Sequence, residues 1–225
     1  MNVINRSNNT LNKYKEFYKE DYPYFGNSWL RPGDAFPAVC YAYGLFDIRD
    51  VDYPLDEQID IIKNNSVRTP RSVLEIGSGR GDVSQFFSNM GSKVFSIDCN
   101  PFAEELQKHT KETMYNNVVN DYTLGIGALE QFLDDLPTDI DTIVMIESIE
   151  HIFPIEWAVA WARLKDILSA NHGRLIITNV IHPVGTRHDP TPEHVMEVDD
   201  QFFNQLENQC KGVVFRRRGN ICLDF

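Results

Sequence analysis

The stretch S-V-L-E-I-G-S-G-R-G-D, residues 72–82, decides the fold. Its residues 73–76 are typical of a buried strand, and a turn with Gly77, Gly79 and Gly81 follows at once. Behind the turn, apolar residues recur at the spacing of one helix face: Val83, Phe86, Phe87 and Met90. This order presents free backbone N–H groups at the carboxyl end of a parallel strand, where α/β sheets bind ligands.

From residue 71 onward, strand and helix patterns alternate. Strands are predicted at 93–97, 121–125, 141–146 and 174–180, and helices at 101 onward, 129–136, 153–170 and 199–210. Trp157 and Trp161 share one stripe of the third of these helices and are expected in the core. Residues 213–225 read as an antiparallel hairpin. The pattern predicts an α/β fold with one doubly wound sheet.

Residues 1–70 have a different texture. Short helices are predicted at 10–20 and 55–63, and between them Tyr22, Tyr24, Phe25 and Trp29 alternate with proline and glycine. Such a segment either covers an exposed sheet edge or serves as a substrate lid. We therefore predict an N-terminal helical and aromatic cap at 1–70 and a ligand-binding domain at 71–225.

Composition limits the binding partners and the cellular location that the sequence suggests. The formal net charge of -12 over 225 residues argues against non-specific binding to RNA or to an anionic membrane. Cys40, Cys99, Cys210 and Cys222 show no C-x-x-C spacing, which argues against structural zinc and disulfides. The first residues lack the apolar run of a signal peptide, and no stretch suits a membrane span. A cytoplasmic location is the resulting expectation, and no pattern indicates an oligomeric state.

The glycine turn is not a dinucleotide or phosphate site. Asp82 stands where the third dinucleotide glycine belongs, and no Lys-Ser/Thr pair follows the turn. Glu75 interrupts an apolar strand, and Asp98, at the end of the next strand, is placed to accept hydrogen bonds from a ribose diol. The carboxylates of Glu75 and Asp98, beside a glycine turn without lysine, suit a nucleoside that carries a positive charge.

The motifs V-L-E-I-G-S-G-R-G and S-I-D-C-N-P, taken together, resemble those of the class I S-adenosylmethionine-dependent methyltransferases. The resemblance covers residues 71–225 and implies a Rossmann-like sheet with S-adenosylmethionine as cofactor. It assigns the methionine part of the cofactor to Glu75, Gly77, Ser78 and Gly79. It places Asp98 on the ribose hydroxyls and Cys99 against the adenine, with Gly127, Ala128 and Leu129 closing the adenine pocket.

The segment E-S-I-E-H, residues 147–151, follows the strand at 141–146 and has two interpretations. In one, Glu147 contacts the ammonium of the cofactor, and His151 is either a helix-start residue or a general base beside Glu150. In the other, Glu147, Glu150, His151 and His194 bind Mg²⁺. The second pattern resembles ubiquinone-biosynthesis O-methyltransferases and small-RNA 3′-terminal 2′-O-methyltransferases, which methylate one oxygen of a vicinal pair.

The sequence therefore predicts an enzyme that transfers a methyl group to an oxygen, rather than a nitrogen, of a small molecule. One alternative is a metal-dependent 2′-O-methyltransferase acting on the 3′-terminal ribose of RNA, which the acidic charge disfavours. Another is a non-catalytic subunit that binds S-adenosylmethionine for regulation. The retained E-x-x-E-H segment argues against that last alternative.

Overall fold

The computed structural model describes residues 1–6, 70–113, 122–146, 148–178, 195–196, 198–217 and 220–225. The helices predicted at 10–20 and 55–63 and the aromatic residues between them lie outside this part of the chain. The same holds for Glu147 and His194. The boundary between a cap and a ligand-binding domain at residue 70 stays a prediction.

The described chain contains eight strands, four α-helices and two 3-10 turns. The strands are β1 Asn2–Asn5, β2 Ser72–Ile76, β3 Lys93–Asp98, β4 Thr123–Ile126, β5 Thr142–Ile146, β6 Arg174–Thr178, β7 Gly212–Arg217 and β8 Asn220–Asp224. The helices are α1 Asp82–Asn89, α2 Ala103–Thr113, α3 Pro154–Asn171 and α4 Asp200–Glu207. The 3-10 turns are Leu129–Phe132 and Ile149–His151. Among the described residues, no helix is long and apolar enough to cross a membrane.

All eight strands form one sheet in the order β1-β4-β3-β2-β5-β6-β8-β7. Strands β1 to β6 pair in parallel, and β8 is antiparallel to both β6 and β7. The chain runs outward from β2 through β3 to β4, then returns to β5 on the other side of β2. The predicted doubly wound sheet with its terminal hairpin is confirmed, and the glycine turn lies where the strand order reverses, the usual ligand site of such sheets.

Both faces of the sheet are covered, so its central strands are apolar on both sides. In β2, Leu74 packs into the cluster that holds α3 and α4, and Val73 packs into the cluster that holds α1. Trp157 is buried in the first cluster, and Trp161 packs against it from a half-buried position. The stripe of α3 is therefore core, as predicted, and the polar site is left to the ends of the strands.

Strand β1 was not predicted. Val3 pairs with Leu124 and extends the parallel sheet by one strand beyond β4. The backbone N–H of Asn2 donates to the carbonyl of Tyr122, and that of Arg6 donates to the carbonyl of Ile126. Four residues with two apolar side chains are too few for a readable alternation, so the pairing partner decides that this segment is a strand. Residues 2–5 thus form an edge strand of the sheet.

Two helix predictions need correction. The segment 129–136 forms only a 3-10 turn, Leu129–Phe132, although Leu129, Phe132 and Leu136 are buried as their spacing suggested. The Gln131 side chain accepts the backbone N–H of Ala128 and closes the turn locally. Helix α2 begins at Ala103 and not at Pro101, because the Asn100 side chain accepts the N–H of Phe102 in a turn that precedes the helix.

Candidate active site

A cavity opens at the carboxyl ends of the central parallel strands. It is lined by residues that end or follow four neighbouring strands, β4, β3, β2 and β5: Ile76, Gly77, Gly79, Ile97, Asp98, Cys99, Asn100, Gly127, Ala128, Leu129, Ser148, His151 and Ile152. The fold therefore brings Gly77 and Gly79, Asp98 and Cys99, Ala128 and Leu129, and His151 around one space. These seven were predicted site residues that lie far apart in the chain.

The glycine turn is held against its neighbours by backbone contacts. The N–H groups of Gly77 and Ser78 donate to the carbonyl of Ile97, at 2.8 and 3.2 Å. Gly77 has φ +78°, and a Cβ there would lie 2.3 Å from Cβ of Ser148. Ser148 in turn donates its hydroxyl to the carbonyl of Ile76 at 2.7 Å. Only glycine permits this close approach, which ties the ends of β2, β3 and β5 together.

Asp98 is a buried acceptor at the centre of the cavity wall. Its Oδ2 accepts the N–H of Gly79 at 2.6 Å, and its Oδ1 accepts the N–H of Asn100 at 2.8 Å. Burial raises the pKa of Asp98 above its usual value of 3.8, and these two donors oppose the rise. Each carboxylate oxygen has a second lone pair, so the group can also accept the two hydroxyls of a ribose.

The loop after β4 forms the apolar side of the cavity. The N–H of Gly127 donates to the backbone carbonyl of Asp98 at 2.8 Å, which fixes the loop to the end of β3. Ala128 and Leu129 are buried, and Ile97 and Ile152 add apolar surface. Apolar side chains beside a diol acceptor suit a nucleoside, because the base needs a dry surface and the sugar needs polar partners.

The short turn after β5 supplies the ionisable side of the cavity. His151 lines the cavity, whereas its neighbour Glu150 is buried with Oε1 at 4.0 Å from Nε2 of His151. The backbone N–H groups of Val195 and Met196 donate to the carbonyl of Glu150 at 2.8 and 3.0 Å. The turn is thus anchored by the segment that leads into α4, and it presents an imidazole to the cavity.

Three predicted site residues lie just outside the cavity lining. The carboxylate of Glu75 accepts from the hydroxyl of Ser84 on α1, and the hydroxyl of Ser78 accepts from Gln107 on α2. Glu150 is buried behind His151. Their roles toward a cofactor or a metal stay predictions, as do those of Glu147 and His194, which are outside the described residues. Within the described part of the chain, no three acidic, histidine or cysteine side chains cluster as metal ligands.

Sequence reasoning missed Asn100, Ser148 and Ile152 as cavity residues. Asn100 stands in the quoted S-I-D-C-N-P motif, two residues beyond Asp98, so its position at the end of β3 was a usable signal. Ser148 lies inside the E-S-I-E-H segment, whose predicted roles rest on its ionisable residues. Nothing in the sequence shows that its Cβ would meet Gly77, because that contact joins residues from two strands.

Two curated methyltransferases are similar to this chain in sequence. Over 99 residues the chain is 28% identical to a mitochondrial ubiquinone biosynthesis O-methyltransferase of Schizosaccharomyces pombe; the alignment covers 44% of this chain and 35% of that relative. Over 158 residues it is 25% identical to an uncharacterized methyltransferase of Bacillus cereus, covering 70% of this chain and 68% of the relative. No protein-family model matches the sequence.

Among solved structures, the crystal structure of magnesium protoporphyrin IX methyltransferase from Synechocystis PCC 6803, with bound S-adenosylhomocysteine, resembles the chain with a TM-score of 0.55. The match covers 94% of this chain and 96% of that one at 14% sequence identity, so it concerns the fold alone. Three observations point to the same class of enzyme, the methyltransferases: the shared fold, the glycine turn with Asp98, and the curated relatives. The chain is thus similar in sequence to curated methyltransferases and has the fold of the class I S-adenosylmethionine-dependent methyltransferases.

Proposed function

We propose that the protein transfers the methyl group of S-adenosylmethionine to an oxygen of a small molecule. The observation that carries the proposal is the single cavity that joins the glycine turn and Asp98 to His151. A nucleoside acceptor, an apolar wall and an ionisable imidazole then face the same space. The relative from Schizosaccharomyces pombe is named as an O-methyltransferase, which supports oxygen as the acceptor atom.

The polar and apolar groups that line the cofactor half of the cavity suit S-adenosylmethionine. Asp98 would accept the ribose hydroxyls, and Leu129 and Ile97 would contact the adenine. A Cβ added to Gly79 would meet nothing within 4 Å, so the turn leaves room for a ligand to lie against its backbone. Bound there, the cofactor supplies an electrophilic methyl group on a sulfonium. We also assign Glu75, Gly77, Ser78 and Gly79 to its methionine part, as the family resemblance implies, and Glu147 to its ammonium group.

His151 is the proposed general base. A hydroxyl is a weak nucleophile, so a neutral imidazole that takes its proton as the new bond forms lowers the barrier. Buried Glu150 lies 4.0 Å from the imidazole and would stabilise the imidazolium that results. This need for a base favours an oxygen acceptor over an amine, whose nitrogen is nucleophilic when neutral. The proposed catalytic pair is therefore His151, which would contact the acceptor, and Glu150, which would orient the imidazole of His151.

A metal-assisted version of this chemistry rests on the same turn. Val195 and Met196 donate to the carbonyl of Glu150, so the segment that follows His194 contacts the turn that holds Glu150 and His151. Glu147, Glu150, His151 and His194 are the proposed Mg²⁺ ligands. A hard divalent ion that chelates two vicinal oxygens would lower the pKa of the attacking hydroxyl and orient it. This version requires a catechol or another vicinal diol as acceptor.

RNA is the second candidate acceptor, and the charges oppose it. The net charge is -12, and Arg216, in the only basic cluster of the sequence, is paired with Asp200 at 2.7 Å and with Glu207 at 2.9 Å. Paired guanidinium groups contribute little to a phosphate-binding surface. We therefore favour a small molecule in the cytoplasm, with no membrane partner. The non-catalytic alternative leaves the imidazole in the cavity without a purpose.

The test is methyl transfer from radiolabelled S-adenosylmethionine. Caffeate serves as the catechol, and an oligoribonucleotide with a free 3′-terminal ribose serves as the RNA acceptor, each with Mg²⁺ and then with excess EDTA. Labelled caffeate with little labelled RNA supports the proposal, and the reverse identifies the RNA enzyme. Activity that survives EDTA excludes the metal-assisted version. Cofactor binding without transfer to either acceptor favours the regulatory subunit.

His151→Asn, with His172→Asn as its control, tests the base. We expect His151→Asn to lower kcat by about a hundredfold or more while the Kd for S-adenosylhomocysteine stays within about twofold. His172 follows α3 with φ 49°, a conformation that asparagine tolerates, so His172→Asn should leave both quantities unchanged. Equal kcat values for the two variants would remove His151 from the mechanism.

A further inference from the structure

Gln107 is a buried side chain that contacts the glycine turn from outside the cavity. It lies on α2, and its Nε2 donates to Oγ of Ser78 at 2.9 Å and to the carbonyl of Gly79 at 3.1 Å. Its Oε1 accepts the hydroxyl of Tyr122 at 2.7 Å. Tyr122 is also buried, just before β4. The amide of Gln107 is thus oriented on one side by a phenol and holds the turn with the other.

The two bonds that Gly79 makes fix both of its flanking peptide groups. Its N–H, in the peptide shared with Ser78, donates to Asp98 at 2.6 Å, and its carbonyl, in the peptide shared with Arg80, accepts from Gln107. A glycine without such bonds loses more conformational freedom on ordering than any other residue. Asp98 and Gln107 together therefore remove the freedom of the one residue of the turn whose open side faces the cavity.

Gln107 and Tyr122 also explain why the last residue of the turn, Gly81, is a glycine. Gly81 has φ +78°, and a Cβ there would lie 2.9 Å from the hydroxyl oxygen of Tyr122 and 3.0 Å from Cδ of Gln107. Gly81 also closes the turn by donating its N–H to the carbonyl of Ser78 at 2.7 Å. The close packing of Gln107 and Tyr122 under the turn is possible because no side chain stands at position 81.

We propose that Gln107, oriented by Tyr122, is a positioning residue that pre-organises the glycine turn for the cofactor. The proposal rests on the proposed function, because it concerns the site for S-adenosylmethionine. Gln107 lies outside the cavity lining and acts through Gly79 and Ser78. A turn that is already ordered binds its ligand without a further loss of backbone entropy. Removing the amide should weaken cofactor binding much more than it slows the methyl-transfer step.

Gln107→Met is the test, and Gln85→Met is its matched control. Both glutamines are 2% exposed and lie in helices, and the Nε2 of Gln85 bonds within its own helix, to Asn89 at 2.9 Å. Methionine is close to glutamine in volume and keeps the helix, so each variant loses hydrogen bonds without leaving a large cavity. Calorimetry with S-adenosylhomocysteine and thermal unfolding are measured for wild type and both variants.

We expect the Kd of Gln107→Met to rise by about tenfold or more and that of Gln85→Met to stay within about twofold. In turnover, Gln107→Met should raise KM for S-adenosylmethionine with little change in kcat. A Kd within twofold of wild type in a cooperatively unfolding Gln107→Met protein overturns the proposal. An equal loss in Gln85→Met overturns it as well, because general destabilisation would then explain the effect.

Tyr122→Phe provides a second route if Gln107→Met does not fold. It removes only the hydroxyl that orients the amide, and we expect the Kd for S-adenosylhomocysteine to rise about threefold. An unchanged Kd in Tyr122→Phe would then overturn the proposal. Wild type is measured first: failure to bind either S-adenosylhomocysteine or S-adenosylmethionine overturns the proposed function itself. Normal wild-type binding with unaffected variants overturns only the role of Gln107.

Discussion

Asp98 and Asp141 are both buried, and they stand at opposite ends of the parallel strands. At the amino end, the carboxylate of Asp141 accepts from the backbone N–H and the guanidinium of Arg71, from the N–H of Ser72 and from the hydroxyl of Thr142. At the carboxyl end, Asp98 accepts two backbone N–H groups, and no ion pair to it occurs among the described residues. Burial accordingly raises the pKa of Asp98.

The difference separates a carboxylate whose partners lie within the fold, Asp141, from the carboxylate that we propose binds the cofactor, Asp98. Asp141 uses its acceptor capacity within the fold and has a cation beside it, so it joins the starts of β2 and β5. Asp98 faces a cavity, has lone pairs left for a ligand and bears the cost of burial without a cation. Burial alone would not distinguish the two residues; their partners do.

The largest expected effect is on folding, in Asp141→Ala. The variant removes the acceptor of the buried N–H of Ser72 and of the N–H and guanidinium of Arg71, which typically costs about 2–4 kcal/mol of unfolding free energy. Chemical denaturation measures this loss, and the Kd for S-adenosylhomocysteine of the folded variant should stay within about twofold. Asp139→Ala is the control, because Asp139 is exposed and its pair with Lys93, at 2.9 Å, contributes at most about 1 kcal/mol. Equal losses in both variants would contradict the structural role of Asp141.

Asp98→Ala should show the opposite pattern. We expect the Kd for S-adenosylhomocysteine to rise by about tenfold or more, equivalent to about 1.4 kcal/mol. The unfolding free energy should change less than in Asp141→Ala, because the variant also removes the cost of a buried charge. Calorimetry and denaturation on the same samples give both values. Unchanged affinity would exclude Asp98 from the ribose site.

The pH dependence of cofactor binding sharpens the comparison further. Protonated Asp98 is a poorer acceptor for ribose hydroxyls, so affinity for S-adenosylhomocysteine should fall as pH falls through the raised pKa of Asp98. Since the folded-state pKa exceeds the usual 3.8, protonation favours the folded state. The contribution of Asp98 to stability therefore rises as pH falls through that pKa and levels off below 3.8. Titrations between neutral and mildly acidic pH test this, and Asp98→Asn should lose the dependence.

The smallest effect is expected from a third carboxylate contact, that of Arg6 with Asp135. Both side chains are half-exposed, and a guanidinium nitrogen of Arg6 lies 2.6 Å from Oδ2 of Asp135. The Arg6 guanidinium also lies 5.1 Å from the centre of the Phe132 ring. Arg6 also donates to the carbonyl of Gln131, in the turn that follows Ala128. Arg6→Met should raise the Kd for S-adenosylhomocysteine about threefold, because the loop beside the adenine loses an anchor. Asp135→Ala keeps the contact between Arg6 and the Phe132 ring, so it should raise this Kd less than Arg6→Met does. A larger rise in Asp135→Ala would show that the ion pair is the main anchor of the loop.

The side of the cavity that we propose for the cofactor was largely predictable from the sequence. The glycine turn, Asp98 and the alternation of strands and helices depend on local patterns, since each uses residues close together in the chain. The sheet order and the shared cavity then follow from parallel strands, whose carboxyl ends meet at one edge. The roles of Glu75 and Ser78 toward the cofactor stay predictions; in the structure, the Glu75 carboxylate contacts Ser84 and the Ser78 hydroxyl contacts Gln107.

By itself, the sequence determined the class of fold and named candidates for the cofactor and for catalysis, because those features need only spacing and residue type. Tertiary structure alone decided that residues 2–5 complete the sheet, that Ser148 requires a glycine at position 77, and that Gln107 and Tyr122 hold the glycine turn. Each of these depends on a contact between residues far apart in the chain. Such contacts have no spacing rule, since which side chains meet is settled only when the strands and helices pack.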